Sequence, residues 1–266
     1  MNSSAKHNTA SFEVLGVRVD AVQIPDVVLQ IEEWIAERTK CRWIAVTGMH
    51  GVTEAQHDPR LKTILNAADL VVADGFPLVW LGRRKGFALR RRVYGPEAML
   101  TFCEATAQKG YRHFFYGGEP GVADALAKKL AKQLPGFVAA GTFCPPYRPL
   151  TPEENCQVLA TIERARPDVI WVGLSTPKQE RWMSEYCERL SPCVLVGVGA
   201  AFDFLSHRKK QAPRWMRENG LEWLFRLLQE PRRLWRRYLI GGTEFAFLVA
   251  LESLGLRKSW VERRQT

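Results

Sequence analysis

Short, almost uninterrupted runs of aliphatic and β-branched residues recur along this chain, and longer stretches with helical spacing lie between them. Residues 42–47, 70–73, 112–116, 137–142, 169–174 and 193–198 each form such a run, and 12–22 reads as one or two strands. A strand with one wet face alternates polar and apolar residues. A run without alternation belongs to a sheet covered on both faces. Helical patterns fall at 25–38, 59–67, 96–109, 123–134, 152–164 and 177–190. Thr151-Pro-Glu-Glu and Thr176-Pro-Lys-Gln each offer a cap, a proline at the first helical position and a Glu or Gln at the third. The alternation predicts an α/β fold with a Rossmann-like, doubly wound, mostly parallel sheet.

The rhythm changes after about Ser206. Residues 1–11 are polar and aperiodic and are expected to form a flexible tail, 12–206 an α/β catalytic body, and 207–266 a basic helical appendage broken at Gly220, Pro231 and Gly241-Gly242. The chain carries a net charge of +10. Residues 207–266 hold 14 Lys/Arg against 6 Asp/Glu, so most of that excess sits there, beside Trp215, Trp223, Trp235 and Trp260. Arginine next to tryptophan suits an anionic membrane surface, where indoles sit among headgroups and cations meet lipid phosphates. Glu244 and Glu252 interrupt the longest apolar stretch, so the appendage is expected to lie on a membrane without crossing it. The N-terminal residues lack the apolar segment of a secretory signal. The six widely spaced cysteines, with no CxxC pair, read as reduced thiols of a cytoplasmic protein.

In open α/β sheets ligands bind beyond the carboxyl ends of the strands, so the residues that follow each run hold the chemistry. Thr47-Gly-Met-His50, Asp74-Gly75, Gly117-Gly-Glu-Pro-Gly121, Ser175-Thr-Pro-Lys-Gln-Glu180 and Gly197-Val-Gly-Ala-Ala-Phe-Asp203 occupy those places. Gly117–Gly121 leads into a helix, where free N–H groups favour an anion such as a diphosphate, although a plain tight turn reads equally well. Asp74 is either a turn residue or a carboxylate able to take a proton from an attacking hydroxyl. Gln179 suits a capping box, and Asp203 a turn. The chain has no HExxH, Gly-x-Ser-x-Gly or Walker lysine motif, and no Asp-x-Asp to hold a metal against a diphosphate. Any departing diphosphate would need arginine instead, and Arg226, Arg232, Arg233, Arg236 and Arg237 flank Pro231.

Taken in order, these segments resemble the WecG/TagA/CpsF family of bacterial glycosyltransferases. The likeness is carried by Ala73-Asp-Gly75, Phe115-Tyr-Gly-Gly-Glu-Pro-Gly121, Val172-Gly-Leu-Ser-Thr-Pro-Lys-Gln-Glu180 with Trp182, and Gly199-Ala-Ala-Phe-Asp203. Gln211-Ala-Pro-Arg-Trp215, Gly220-Leu-Glu-Trp-Leu-Phe-Arg-Leu227 and Glu230-Pro-Arg-Arg-Leu234 complete it. The resemblance implies inverting transfer from a UDP-sugar to a saccharide on undecaprenyl diphosphate, in cell-surface polysaccharide or exopolysaccharide synthesis. It makes Asp74 the general base and has Thr47 position substrate. Gly117, Gly118, Gln179 and Asp203 fall to the UDP site, while Arg226, Arg233 and Arg236 steady the leaving diphosphate. No metal or cofactor is implied. The protein would work at the cytoplasmic face of the inner membrane, with the appendage folded over the site. A homo-oligomer is compatible with all of this. One departure stands out: the family often has Asn two residues after the threonine, where this chain has Met49 followed by His50.

Two other classes fit parts of the sequence. A nucleic-acid-binding protein could use the basic aromatic tail, but no RNP-like or helix-turn-helix signature supports it. A soluble α/β enzyme acting on a small phosphorylated metabolite would use the tail only for self-association.

Overall fold

The computed structural model describes residues 9–256. Most of the expected N-terminal tail, and Trp260 in the basic segment, lie outside the described residues. In chain order the elements begin with β1 (Ser11–Val14), β2 (Val17–Asp20), α1 (Ile24–Glu37), β3 (Arg42–Thr47), α2 (Met49–His57) and α3 (Pro59–Ala67). Next come β4 (Leu70–Ala73), α4 (Phe76–Arg84) and α5 (Gly95–Thr106), which a 3₁₀ turn extends. The chain continues through β5 (Arg112–Gly117), α6 (Val122–Gln133), β6 (Val138–Phe143), α7 (Pro152–Ala165) and β7 (Val169–Gly173). It then forms α8 (Lys178–Cys187), β8 (Val194–Gly197) and α9 (Ala201–Leu205). The last helices are α10 (Arg214–Glu218), α11 (Glu222–Gln229), α12 (Pro231–Trp235) and α13 (Gly241–Ser253), with a π-type turn, Arg236–Ile240, before α13.

The architecture is α/β and mostly parallel, as the apolar runs predict. It divides into two compact units. The first is built from the described residues of 1–23, 47–92 and 212–266, and the second from 24–46 and 93–211. In the first unit the strands run β1-β2-β4. The single stretch 12–22 resolves into a hairpin, because Leu15 and Gly16 both take positive φ and turn the chain in two residues. β2 then pairs β4 in parallel, and the buried Asp20 carboxylate accepts the Val71 N–H at 2.7 Å.

In the second unit five strands run β3-β8-β7-β5-β6, every neighbouring pair parallel. The side chains of β3, β8, β7 and β5 are mostly apolar and buried, while the edge strand β6 is only partly covered, so burial of those four strands drives this half. Aromatic rings fill its core. Tyr116 stacks on Trp182 at 4.0 Å between centroids, and Trp182 stacks on Tyr186 at 4.5 Å. His113 is buried among Phe102, Phe137 and Trp171, and its Nδ1 accepts the Trp171 indole N–H at 3.1 Å.

Some details differ from the sequence expectations. The capping box at Thr151 is complete, with Thr151 and Glu154 exchanging hydrogen bonds. At Thr176 there is none: α8 begins at Lys178, and Thr176 instead donates to the buried Glu180 carboxylate at 2.8 Å. Gly220 and Pro231 interrupt the C-terminal helices as expected, but Gly241-Gly242 does not. Helical backbone runs from Pro231 through the π-type turn to Ser253. Gly242 serves packing there, since a Cβ on it would lie 3.5 Å from the Met49 methyl on α2. Helices α2 and α4 have no counterpart among the expected elements.

Burial pulls the His113 pKa down from 6.5 to about 3. The unfolded chain therefore binds a proton at this site between those values and the folded chain does not. We predict that unfolding free energy falls as pH drops below 6.5, by up to ~1.4 kcal/mol per pH unit from this group. His113→Asn, which can still accept from Trp171, should lower stability at neutral pH but flatten that acid limb. Denaturant melts from pH 7 to pH 4 read both effects, and an unchanged slope would reject the assignment.

Candidate active site

In the first unit, Thr47 ends β3 and Asp74 follows β4. The Asp74 N–H donates to the Thr47 carbonyl at 2.8 Å, so the two turns leave their strands side by side. Both turns continue with glycine. A Cβ on Gly75 would stand 3.7 Å from the Gly48 Cα, which shows how closely the two backbones pass. The Thr47 hydroxyl is buried and has no hydrogen-bond partner. An unmade bond of this kind costs about 1–3 kcal/mol, so a hydroxyl left this way suits a site that a ligand completes. Asp74 is half-buried. Arg92, ion-paired with the buried Glu222 of α11, also approaches the Asp74 carbonyl at 3.5 Å.

The C-terminal helices bring further cations to this turn. Arg237 is half-buried, and desolvation pulls its pKa down from the ordinary arginine value. Tyr238 opposes that shift, as does the Asp74 carboxylate, while Arg226 and Arg233 add to it. Arg226, Arg233 and Asp74 thus each lie within electrostatic reach of Arg237. An arginine stays protonated even so, and the Arg237 Nε has no hydrogen-bond partner. Arg233 also pairs with Glu230. Arg236 is exposed and lies over the Trp235 ring at 5.4 Å. Arg237, one of the arginines that flank Pro231, is thus electrostatically coupled to Asp74, and it lies in the π-type turn.

Met49 and His50, at the departure from the family pattern, both reach the C-terminal segment. Met49 packs against Gly242. His50 has its pKa lowered to about 3, first by burial and then by the Arg237 charge. At neutral pH it is an uncharged imidazole with one donor and one acceptor.

In the second unit, Gly117 and Gly118 end β5 with φ of +116° and +76°. A Cβ on Gly117 would come within 2.7 Å of the Gly173 carbonyl oxygen, so only glycine lets β5 leave the sheet this way. Gly118 donates to that same carbonyl at 3.0 Å. Gly121, at positive φ, precedes α6, whose first turn takes no side-chain cap. Gln179 is buried. Its Oε1 accepts the Gly199 N–H at 3.1 Å and its Nε2 donates to Glu180 at 3.1 Å, so it fastens the turn after β8 to α8 and does not close a capping box. Asp203 lies on α9, half-buried, 3.6 Å from the Lys209 ammonium.

All six cysteines are free thiols, with the Cys41 and Cys193 sulfurs 3.6 Å apart. Among the described residues no group of three or more His, Cys, Asp and Glu side chains is placed to hold a metal. No helix among them is long and apolar enough to cross a membrane.

A strand-end carboxylate, a buried hydroxyl and nearby arginines on an α/β frame are the side-chain types that group transfer from an anionic leaving group calls for. A profile of the glycosyl transferase WecG/TagA/CpsF family matches residues 12–259. The chain is 29% identical over 217 residues, 82% of either protein, to the N-acetylglucosaminyldiphosphoundecaprenol N-acetyl-beta-D-mannosaminyltransferase of Bacillus spizizenii (strain ATCC 23059 / NRRL B-14472 / W23). It is 30% identical over 176 residues, 66% of either protein, to the Bacillus subtilis (strain 168) enzyme of the same name. This chain belongs to the WecG/TagA/CpsF family of glycosyl transferases.

The Arg237 charge has a direct readout. In Arg237→Met the His50 pKa should climb from about 3 toward 6.5, because the cation that disfavours imidazolium is gone while burial remains. Histidine ring signals followed by NMR across pH 3–7 test this. A His50 titration unmoved by the substitution would place Arg237 away from the site.

Proposed function

We propose that the protein transfers an N-acetylhexosaminyl group from a UDP-sugar to a saccharide carried on undecaprenyl diphosphate, with inversion and without a metal ion. Family membership supports the reaction class. The activities for which the two Bacillus relatives are named support a lipid-linked N-acetylglucosamine acceptor and an N-acetylmannosaminyl product for this chain. Within the site, the observation that carries the reading is the placement of Asp74 beside Thr47, with Arg237 in electrostatic reach of Asp74 and Arg226 and Arg233 in reach of Arg237.

The chemistry is a single in-line displacement. The acceptor hydroxyl attacks the anomeric carbon and loses its proton to the Asp74 carboxylate. The bond from that carbon to the diphosphate oxygen breaks with its electron pair, and UDP departs. Arginine forks neutralise the charge that builds on the diphosphate, the part a divalent cation plays in enzymes with Asp-x-Asp. The buried Thr47 hydroxyl holds a substrate oxygen. His50, uncharged, offers the sugar one donor and one acceptor, in place of the amide that the family often carries nearby. Gly117 and Gly118 let the β5 turn approach the nucleotide diphosphate, with the uncapped start of α6 behind them. Gln179 and Asp203 shape that region from α8 and α9. The basic C-terminal helices hold the protein to the inner face of the membrane, where a polyprenyl acceptor is found.

General-base catalysis contributes roughly 10²–10⁴-fold, so Asp74→Ala should lose turnover on that scale while its affinity for UDP stays unchanged. Single-turnover kinetics with a lipid-linked acceptor, alongside UDP titration, checks both halves. Turnover preserved in Asp74→Ala removes Asp74 from the role.

A further inference from the structure

The basic C-terminal segment is not the only concentration of positive charge. Between Arg83 and Arg92 the chain carries Arg83, Arg84, Lys85, Arg90, Arg91 and Arg92 with no acidic residue. This run begins in the last turn of α4 and continues into the loop after it, in the same unit as the C-terminal helices. Helix α4 buries Leu78, Val79, Leu81 and Gly82 and turns Phe76, Trp80, Arg83 and Arg84 outward. An outward helix face is ordinarily polar. Here its first two turns present aromatic rings, with Phe76 45% and Trp80 44% exposed.

The outward cations have distinct duties. Arg83 donates to the carbonyls of Leu89 and Arg90 and so shapes the loop, while Arg91 and Arg92 pair with Glu218 and Glu222. Arg84 lies over the Trp80 ring at 4.8 Å, and Arg90 is exposed. The aromatic face also continues into the C-terminal segment. A Cβ on Gly220 would meet the Phe76 side chain at 3.1 Å, so the turn between α10 and α11 lies against that ring. Trp215, Trp223 and Trp235 are exposed in the same unit.

We propose that α4 and the loop after it form a second lipid-contact element, separate from the C-terminal helices, which seats Trp80 in the headgroup layer of an anionic bilayer with Arg84 and Arg90 on lipid phosphates. An indole with a stacked guanidinium matches that layer, and the local charge matches its sign. Because α4 starts two residues after Asp74, such a contact holds the proposed catalytic turn at the membrane surface directly. The inference rests on the membrane association proposed above.

The test is flotation of the full chain with vesicles of phosphatidylethanolamine and phosphatidylglycerol, and with phosphatidylcholine vesicles as the uncharged comparison. Trp80→Ala and Arg84→Glu/Arg90→Glu should each weaken binding to the anionic vesicles by about tenfold or more. Lys128→Glu/Lys132→Glu, the same charge change on exposed α6 positions of the other unit, should leave it unchanged. Thermal melts confirm folding, and the charge-reversal pair keeps the test alive if Trp80→Ala does not fold. Wild-type binding with α4 variants equal to wild type overturns the inference and spares the membrane reading. A wild-type protein that ignores anionic vesicles, or buries α4 in a self-associated dimer seen by sedimentation, overturns it as well. The UDP-dependent reaction is judged separately in either case.

Discussion

The hydrogen bond from the Asp74 amide to the Thr47 carbonyl ties together the two strand ends on which the proposed chemistry depends. Each turn continues with glycine, and a Cβ on either would only touch the other turn at van der Waals distance. A carboxylate and a buried hydroxyl are thereby presented from adjacent turns at the carboxyl ends of β-strands, where α/β folds leave room for ligands. The C-terminal helices supply the opposite charge. Arg237 is the sharpest case: a desolvated guanidinium is costly unless charge answers it, and the Asp74 carboxylate supplies part of that answer. The same cation adds to the burial that keeps His50 neutral, so one residue acts on both neighbours.

The second unit uses a different device. Its five parallel strands are fixed by apolar burial and stacked aromatic rings, and the turn after β5 is shaped by glycines at positive φ. Gln179 and Glu180 brace the turns around it from inside. A rigid, glycine-lined turn that leads into an uncapped helix suits an anionic ligand, and a nucleoside diphosphate carries that chemistry.

Much of this was legible in the sequence. The parallel strands were readable because residues buried on both faces leave continuous apolar runs. The rule that ligands gather at strand ends is what put the proposed site at these turns. What was missed has physical causes. Helix α2 opens with Met49-His50-Gly51 and carries little apolar periodicity, while α4 has aromatic residues on its outer face and so no polar stripe to reveal it. Gln179 sits where a capping box would want it, but α8 starts too late for that, and the side chain turns inward to Gly199. Arg236 and Arg237 are neighbours of one type, and nothing in the sequence says that the Arg237 charge couples to Asp74. The basic run 83–92 was hidden by the larger excess in 207–266.

The central claim is that a uridine diphosphate leaving group is held by side chains and backbone, with no metal. The most direct measurement is calorimetric titration of the purified protein with UDP in EDTA, with UMP, ADP and NAD as comparisons. Saturable binding of UDP in preference to the others, unchanged by added magnesium, is the predicted result. No UDP binding, or binding that appears only with a divalent cation, would contradict it.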